Sequence, residues 1–328
     1  MALVYRMHVK EDEPALIKLW SEETGWDQVD AEAWGNRFLR TPLGPARFAV
    51  TEDTATHEIL AQFAFIPSLV SVDGREISAY RPFAPIILKA ARGLFLTPNF
   101  FEHPAVRMYR EAVQALRNAG TQILYSVPDP QWLRLFGMAP APTLQCTTFP
   151  LWSLKLPLPG ALPLHSSYTV GPGEVRGERV DKLWRQAAEL HGCLVVRDSR
   201  GLPWKVGNGD YSVMGVERDG DLVGLVASRP KGDSQWLICD LLTADAGESL
   251  LATLTAVCNL AHSHSLAAGP ENPIRKVAVL ATSVLEPVLQ RLGFASDNYD
   301  FPLMVHALDA SVCKEHVAPK RWYVSAND

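Results

Sequence analysis

The chain has 328 residues, enough for about two domains. Hydrophobic residues make up 47% and charged residues 20%, and the net charge of −5 gives no general attraction to nucleic acid or to an anionic membrane. The five cysteines (Cys146, Cys193, Cys239, Cys258 and Cys313) are odd in number, widely spaced and without a CxxC, which argues against a disulfide framework and a zinc site. No stretch approaches the ~18 uninterrupted apolar residues of a membrane span. MALVYRMHVKEDE lacks the apolar run of a signal peptide, so a cytoplasmic location is expected.

The first half opens with a strand over 3–9. Pro14 and its acidic neighbours then suit the first turn of a helix, with Leu16, Leu19 and Trp20 as its apolar stripe. A loop with two more tryptophans follows. Residues 47–50 and 58–63 read as a strand pair. Residues 70–72 and 76–80, joined by Asp73-Gly74, read as a hairpin, because Asp-Gly supplies the left-handed backbone of a tight turn. An extended stretch runs on to Leu88. The pattern over 104–119 is helical and stops at Gly120, a C-cap. Residues 122–127 form a buried strand, 130–136 a short helix ending at Gly137, and 143–154 a strand that closes this half.

The prolines and glycine of KLPLPGALPLHSS mark an extended connector. The domains are therefore expected at 1–156 and 168–328, with 157–167 between them. The second half repeats the order: a strand at 168–170, a helix over 178–191, and a hairpin of 211–217 and 222–227 about Asp219-Gly220. A strand at 236–242, a helix over 247–264, a strand at 276–281, a helix over 285–292 and a last strand at 300–308 complete it. Three matches share one order and lie roughly 160 residues apart, which argues for duplication. They are Lys18-Leu19-Trp20 with Lys182-Leu183-Trp184, Glu58-Ile59-Leu60-Ala61 with Asp221-Leu222-Val223-Gly224, and Leu135-Phe136-Gly137-Met138 with Arg291-Leu292-Gly293-Phe294.

This element order, and above all the run Leu285 to Phe294, resembles the GNAT (GCN5-related) acyltransferase superfamily. The resemblance implies an α/β fold of mixed sheets in two tandem acyl-CoA N-acyltransferase domains. It also implies acetyl-CoA or another acyl-CoA as co-substrate without a metal, and a small-molecule or peptide amine as acceptor. In that family two parallel strands part, and the donor's arm lies between them. Its pyrophosphate sits on backbone N–H groups of an Arg/Gln-x-x-Gly-x-Gly/Ala loop at a helix start, where small residues let the backbone come close. The loop falls at 100–105, where Ala105 fits, and at 242–247, where Gly247 fits. Glu102, Asp245 and Glu248 stand nearby and read as helix-capping or dipole-compensating carboxylates.

Arg92, Arg107 and Arg110 are candidates for a phosphate, with Ala105 and Val106 offering backbone donors; surface arginines of an amphipathic helix are the alternative. Ser126 and Thr282 stand at the strand ends where the family often has a cofactor-contacting asparagine. Leu133 and Leu289 replace its tyrosine acid. Tyr125, Asp129 and Asp240 are the remaining proton carriers. A buried tyrosine, a helix cap and a paired carboxylate are their ordinary alternatives. The function expected is acyl transfer to an amine through direct attack on the thioester. A catalytically inactive relative that binds or scaffolds is the alternative, and a tandem aminoacyl transferase a third reading. The run Gly171 to Gly177 has the wrong spacing for a dinucleotide loop. His262 and His264 point to different faces of their helix and make a poor metal pair.

Overall fold

The computed structural model describes residues 2–25, 30–95, 99–128, 144–207, 209–232, 234–268 and 274–328. In chain order it begins with β1 (Leu3–Met7), α1 (Glu13–Glu23), α2 (Ala31–Phe38), β2 (Arg47–Asp53), β3 (Ile59–Val72), β4 (Arg75–Ile87), α3 (Pro104–Asn118), β5 (Ile123–Ser126) and β6 (Leu144–Lys155). It continues with β7 (Tyr168–Pro172), α4 (Glu178–Glu189), β8 (Cys193–Val195), α5 (Gly201–Gly207), β9 (Ser212–Arg218), β10 (Asp221–Lys231) and β11 (Gln235–Thr243). It ends with α6 (Glu248–Ala267), β12 (Lys276–Leu280), α7 (Glu286–Arg291), β13 (Ala295–Ala307) and β14 (Trp322–Tyr323). The short helix expected over 130–136 lies outside the described residues.

Local chemistry explains most of these boundaries. Asp73 and Gly74 have φ of 50° and 78°, and Asp219 and Gly220 have 54° and 85°, as a two-residue hairpin turn with both central residues left-handed requires. Gly120, at φ 80°, ends α3, and Thr121 N–H donates back to Leu116 O at 3.0 Å. One stretch expected as loop is helical: α2 is started by Asp30, whose carboxylate accepts from Ala33 N at 2.7 Å. Its Trp34 and Phe38, one turn apart, are both buried. The strand expected at 70–72 is the end of the single long β3.

The chain divides into two compact units, each drawn from three stretches of sequence. The first contains Met1–Leu69, Ile77–Cys146 and Pro302–Glu315. Its sheet runs β1-β2-β3-β4-β5-β13. The β4–β5 pair is parallel, and β5–β13 antiparallel with Met304 opposite Ser126. On α3, Met108, Tyr109, Ala112 and Leu116 face this sheet and pack with Phe63, Phe65, Leu124 and Met304. Burial of a large side chain such as Met108 or Leu116 is worth roughly 1.5–3 kcal/mol.

The second unit contains Val70–Glu76, Thr147–Phe301 and His316–Asp328. Its sheet runs β7-β9-β10-β11-β12-β6, with β11–β12 parallel and β12–β6 antiparallel. The end of β3 pairs with β8, and β8 with β14. The strand order thus matches in the two sheets, with one exchange. Each closing strand comes from the other half of the sequence, whereas the sequence reading gave 143–154 to the first half. An apolar strand pattern specifies burial, not which of two like sheets is joined.

The proline-rich stretch lies along α6. Leu158 N–H donates to His262 Nδ1 at 3.1 Å, and Leu162 exchanges two bonds with Asn259 at 2.7 and 3.0 Å.

Candidate active site

In the first unit β4 and β5 pair only at Ala79–Ile123 and Tyr80–Leu124. Beyond Tyr80 the sequence is Arg81-Pro82-Phe83-Ala84-Pro85, and neither proline has the N–H that a continuing ladder needs. Ala84 adopts φ 49°, a left-handed conformation uncommon for alanine, within this segment. A cavity of about 360 Å³ lies where the strands part. Residues 82–87 and 126–128, Phe63 and Met304 form its mostly apolar walls, and Glu23, Thr24 and Arg92 add polar groups. Ser126 Oγ donates to Pro82 O at 3.4 Å, a side-chain bond standing where a backbone ladder has ended.

The start of α3 carries its own cap. The ring of His103 accepts from Ala105 N at 3.3 Å, and His103 O accepts from Val106 N at 2.9 Å and Arg107 N at 3.0 Å. Burial lowers the His103 pKa, which favours the neutral imidazole that can accept this bond. Of the two roles expected for Glu102, capping falls to His103, and Glu102 beside it pairs with Arg107 at 2.8 Å.

The three arginines expected around this loop are not assembled on the cleft. Arg92 lines the cavity and meets Glu23 at 3.2 Å. Arg107 turns to Glu102 and lies 4.8 Å over the Tyr5 ring. Arg110 is exposed on α3. Ala105 and Val106 are buried. Tyr125 is buried, with its hydroxyl 2.9 Å from Ser68 Oγ. Asp129 and Leu133 lie outside the described residues.

The second unit parts its parallel strands in the same place, with pairing between β11 and β12 ending at Leu237–Ala278. Past that point the carbonyls of β11 are bonded by the segment 322–328. Asn327 N–H donates to Cys239 O at 3.1 Å, and Tyr323 OH to Leu241 O at 3.0 Å.

Four buried charges fasten this segment. Arg197 Nε donates to Asp240 Oδ1 at 2.5 Å, and Arg197 also pairs with Asp328. Lys205 stands 2.6 Å from Asp328 and 3.2 Å from Asp240. Burial opposes ionisation of Asp328, but Arg197 and Lys205 hold its carboxyl well below the usual range. Asp240, a candidate proton carrier from the sequence, is thus held between two cations.

At the start of α6, Asp245 accepts from Gly247 N at 2.8 Å and from Ser249 N at 3.0 Å. Burial raises its pKa, yet the bonds from Ser249 and Gly247 bring it below the ordinary value. A carboxylate therefore fills this helix end. Thr282 is buried, its hydroxyl has no partner among the described residues, and its carbonyl starts α7.

Glu23, Phe83 and Met304 line the first cleft and were not singled out by the sequence. Only Glu23 left a signal: it continues the spacing of Leu16, Leu19 and Trp20 on the inward face of α1.

Solved structures share this architecture. A GCN5-related N-acetyltransferase from Anabaena variabilis matches with a TM-score of 0.67 over 94% of this chain and 73% of its own, at 15% identity. The fold is that of the GNAT N-acyltransferases. A probable N-acyltransferase from Enterococcus faecalis matches at 0.66 and 12% identity over 94% of this chain and 73% of its own. N-myristoyltransferase from Saccharomyces cerevisiae, with bound myristoyl-CoA, matches at 0.57 and 12% identity over 93% and 78%. No family model matches the sequence, and no curated protein is significantly similar to it. Identities this low relate the GNAT fold and not the chemistry. Among the described residues no helix is long and apolar enough to cross a membrane, and no group of His, Cys, Asp and Glu is placed to hold a metal ion.

Proposed function

We propose that this chain transfers an acyl group from an acyl-CoA thioester to an amine at the cleft of its first unit. The parting of β4 and β5 over an apolar cavity is the observation that carries this reading. The cavity suits the donor's acyl end and the thin arm behind it. Arg92 at the wall supplies positive charge for a phosphate, and Ser126 a hydroxyl for the arm. The fit is poorer at the helix start, because His103 already takes the first N–H groups of α3. A pyrophosphate docking there has to displace a neutral ring, which is a weak competitor for an anion.

In this reading the second cleft holds no donor, since 322–328 and Asp245 fill it. Asp240 serves that packing. Tyr125, on β5, and Asp129, which follows that strand in sequence, remain the candidates to carry a proton. The matching strand orders and the like-placed Leu19-Trp20 and Leu183-Trp184 support duplication of one ancestral unit. Five unpaired cysteines accord with a reducing cytoplasm.

The His103 cap also favours a second reading, a non-catalytic relative that binds an acyl thioester without turning it over. Calorimetric titration with acetyl-CoA and longer acyl-CoAs tests both, followed by thiol release in the presence of primary amines. One site per chain is expected, weakened several-fold by Arg92→Ala and tightened by His103→Ala. No binding at millimolar donor overturns the proposal. Binding without amine-dependent thiol release selects the second reading.

A further inference from the structure

Glu23 is the last residue of α1, on the face that buries Leu16, Leu19 and Trp20. The apolar stripe of this helix therefore ends in a carboxylate. Its side chain is 10% exposed and faces the cavity between β4 and β5. A carboxylate offers about four acceptor sites. Among the described residues Glu23 uses one, a single contact of 3.2 Å to Arg92 Nη2. Arg92 is half in solvent and also reaches Ile87 O at 3.3 Å, so its bond to Glu23 is exchangeable. Beside Arg92 the wall thus carries an under-satisfied carboxylate on a mostly apolar surface. It suits a cation with several N–H donors on a hydrocarbon body.

We propose that Glu23 is the residue that selects the acceptor, receiving the ammonium of a primary amine in exchange for its bond to Arg92. This rests on the reading that the cleft serves acyl transfer, and it names the substrate as an alkylammonium with an apolar flank. Thr24, beside Glu23 in sequence, and Phe83 border the same space. Besides its role toward the donor's phosphate, Arg92 neutralises Glu23 in the free protein and competes with the incoming amine.

The test uses 2-phenylethylamine, with 2-phenylethanol as its neutral counterpart, in calorimetric titrations of the full chain. The amine should bind at least tenfold tighter than the alcohol. Glu23→Gln keeps size and hydrogen bonding but removes the charge; it should weaken the amine about tenfold, roughly 1.4 kcal/mol, and leave the alcohol unchanged. Arg92→Ala should tighten the amine several-fold. Equal binding of the two compounds, or an amine-to-alcohol ratio unmoved in Glu23→Gln, overturns the proposal. A chain that selects the amine through Glu23 but ignores acyl-CoA keeps this inference and sinks the acyl-transfer reading, so the two failures are distinguishable.

Discussion

Replacing Asp240 by Asn gives the most direct measure of what closes the second cleft. Arg197, Lys205, Asp240 and Asp328 carry two positive and two negative charges, and Arg197 is fully buried. Asp240→Asn leaves one uncompensated positive charge among groups that water does not reach. Breaking a buried pair from one side costs about 3–5 kcal/mol. Against a domain stability of about 5–15 kcal/mol this is a large fraction. It corresponds to a Tm drop of roughly 10 °C for a unit of this size.

The double variant Arg197→Met, Asp240→Asn behaves differently. It leaves Lys205 and Asp328 as a neutral pair 2.6 Å apart. Its cost should fall below the sum of the two single costs by at least about 2 kcal/mol. Urea denaturation of the four proteins closes the cycle, and hydrogen exchange at the Asn327 amide reports whether segment 322–328 has been released from Cys239. If Asp240→Asn stays within 1 kcal/mol of wild type, or the two substitutions add, the four charges do not act as one fastening.

Two further outcomes follow from burial. Desolvation lowers the pKa of His306, bonded to Tyr109 at 3.0 Å, and of His191 from 6.5 to about 4 in each case. Their folded pKa lies below the unfolded value, so stability is full above pH 6.5 and is lost as pH falls toward 4, by up to about 3 kcal/mol per histidine. His306→Gln should flatten the slope of stability against pH in that window, and an unchanged slope refutes the assignment. In β10, a Cβ on Gly224 would come within 1.9 Å of Thr253 Oγ1 on α6. Gly224→Ala should cost about 1–3 kcal/mol, much of it recovered by adding Thr253→Ala; a single variant as stable as wild type refutes this contact.

The elements that position the cleft were legible because each rests on local chemistry. Asp-Gly turns, the Gly120 cap and the amphipathic pattern of α3 are written within a few residues. The strand order common to the two units also had a local mark, because Leu19-Trp20 and Leu183-Trp184 are buried on the first helix of each unit. Helix α2 was missed because its tryptophan was counted as part of a loop, although Asp30 and the spacing of Trp34 and Phe38 mark a helix. The site was less legible. Which arginine meets which carboxylate is not written locally: the sequence grouped Arg92, Arg107 and Arg110, and Arg92 meets Glu23 whereas Arg107 meets Glu102. Asp240 read as a proton carrier or a paired carboxylate, and its partners, at 197, 205 and 328, carry no local mark.

The exchange of closing strands gives the second half of the sequence a role its own filled cleft does not explain. In the first unit the strand beside β5 is β13, and its Met304 stands opposite Ser126 on the cavity wall. Without residues 302–307 the far edge of β5 has no partner, and the backbone groups of Ile123 to Ser126 are left to solvent or to another chain. The strand that bears Ser126, and ends where the cleft begins, is thus held on one side by two residue pairs with β4 and on the other by four with β13. The weaker side is the one that opens. A cleft between parallel strands needs one strand that yields and another that fixes it. Here the fixing strand comes from beyond residue 300, so the first unit's cleft depends on the second half of the sequence whatever that half's own cleft does.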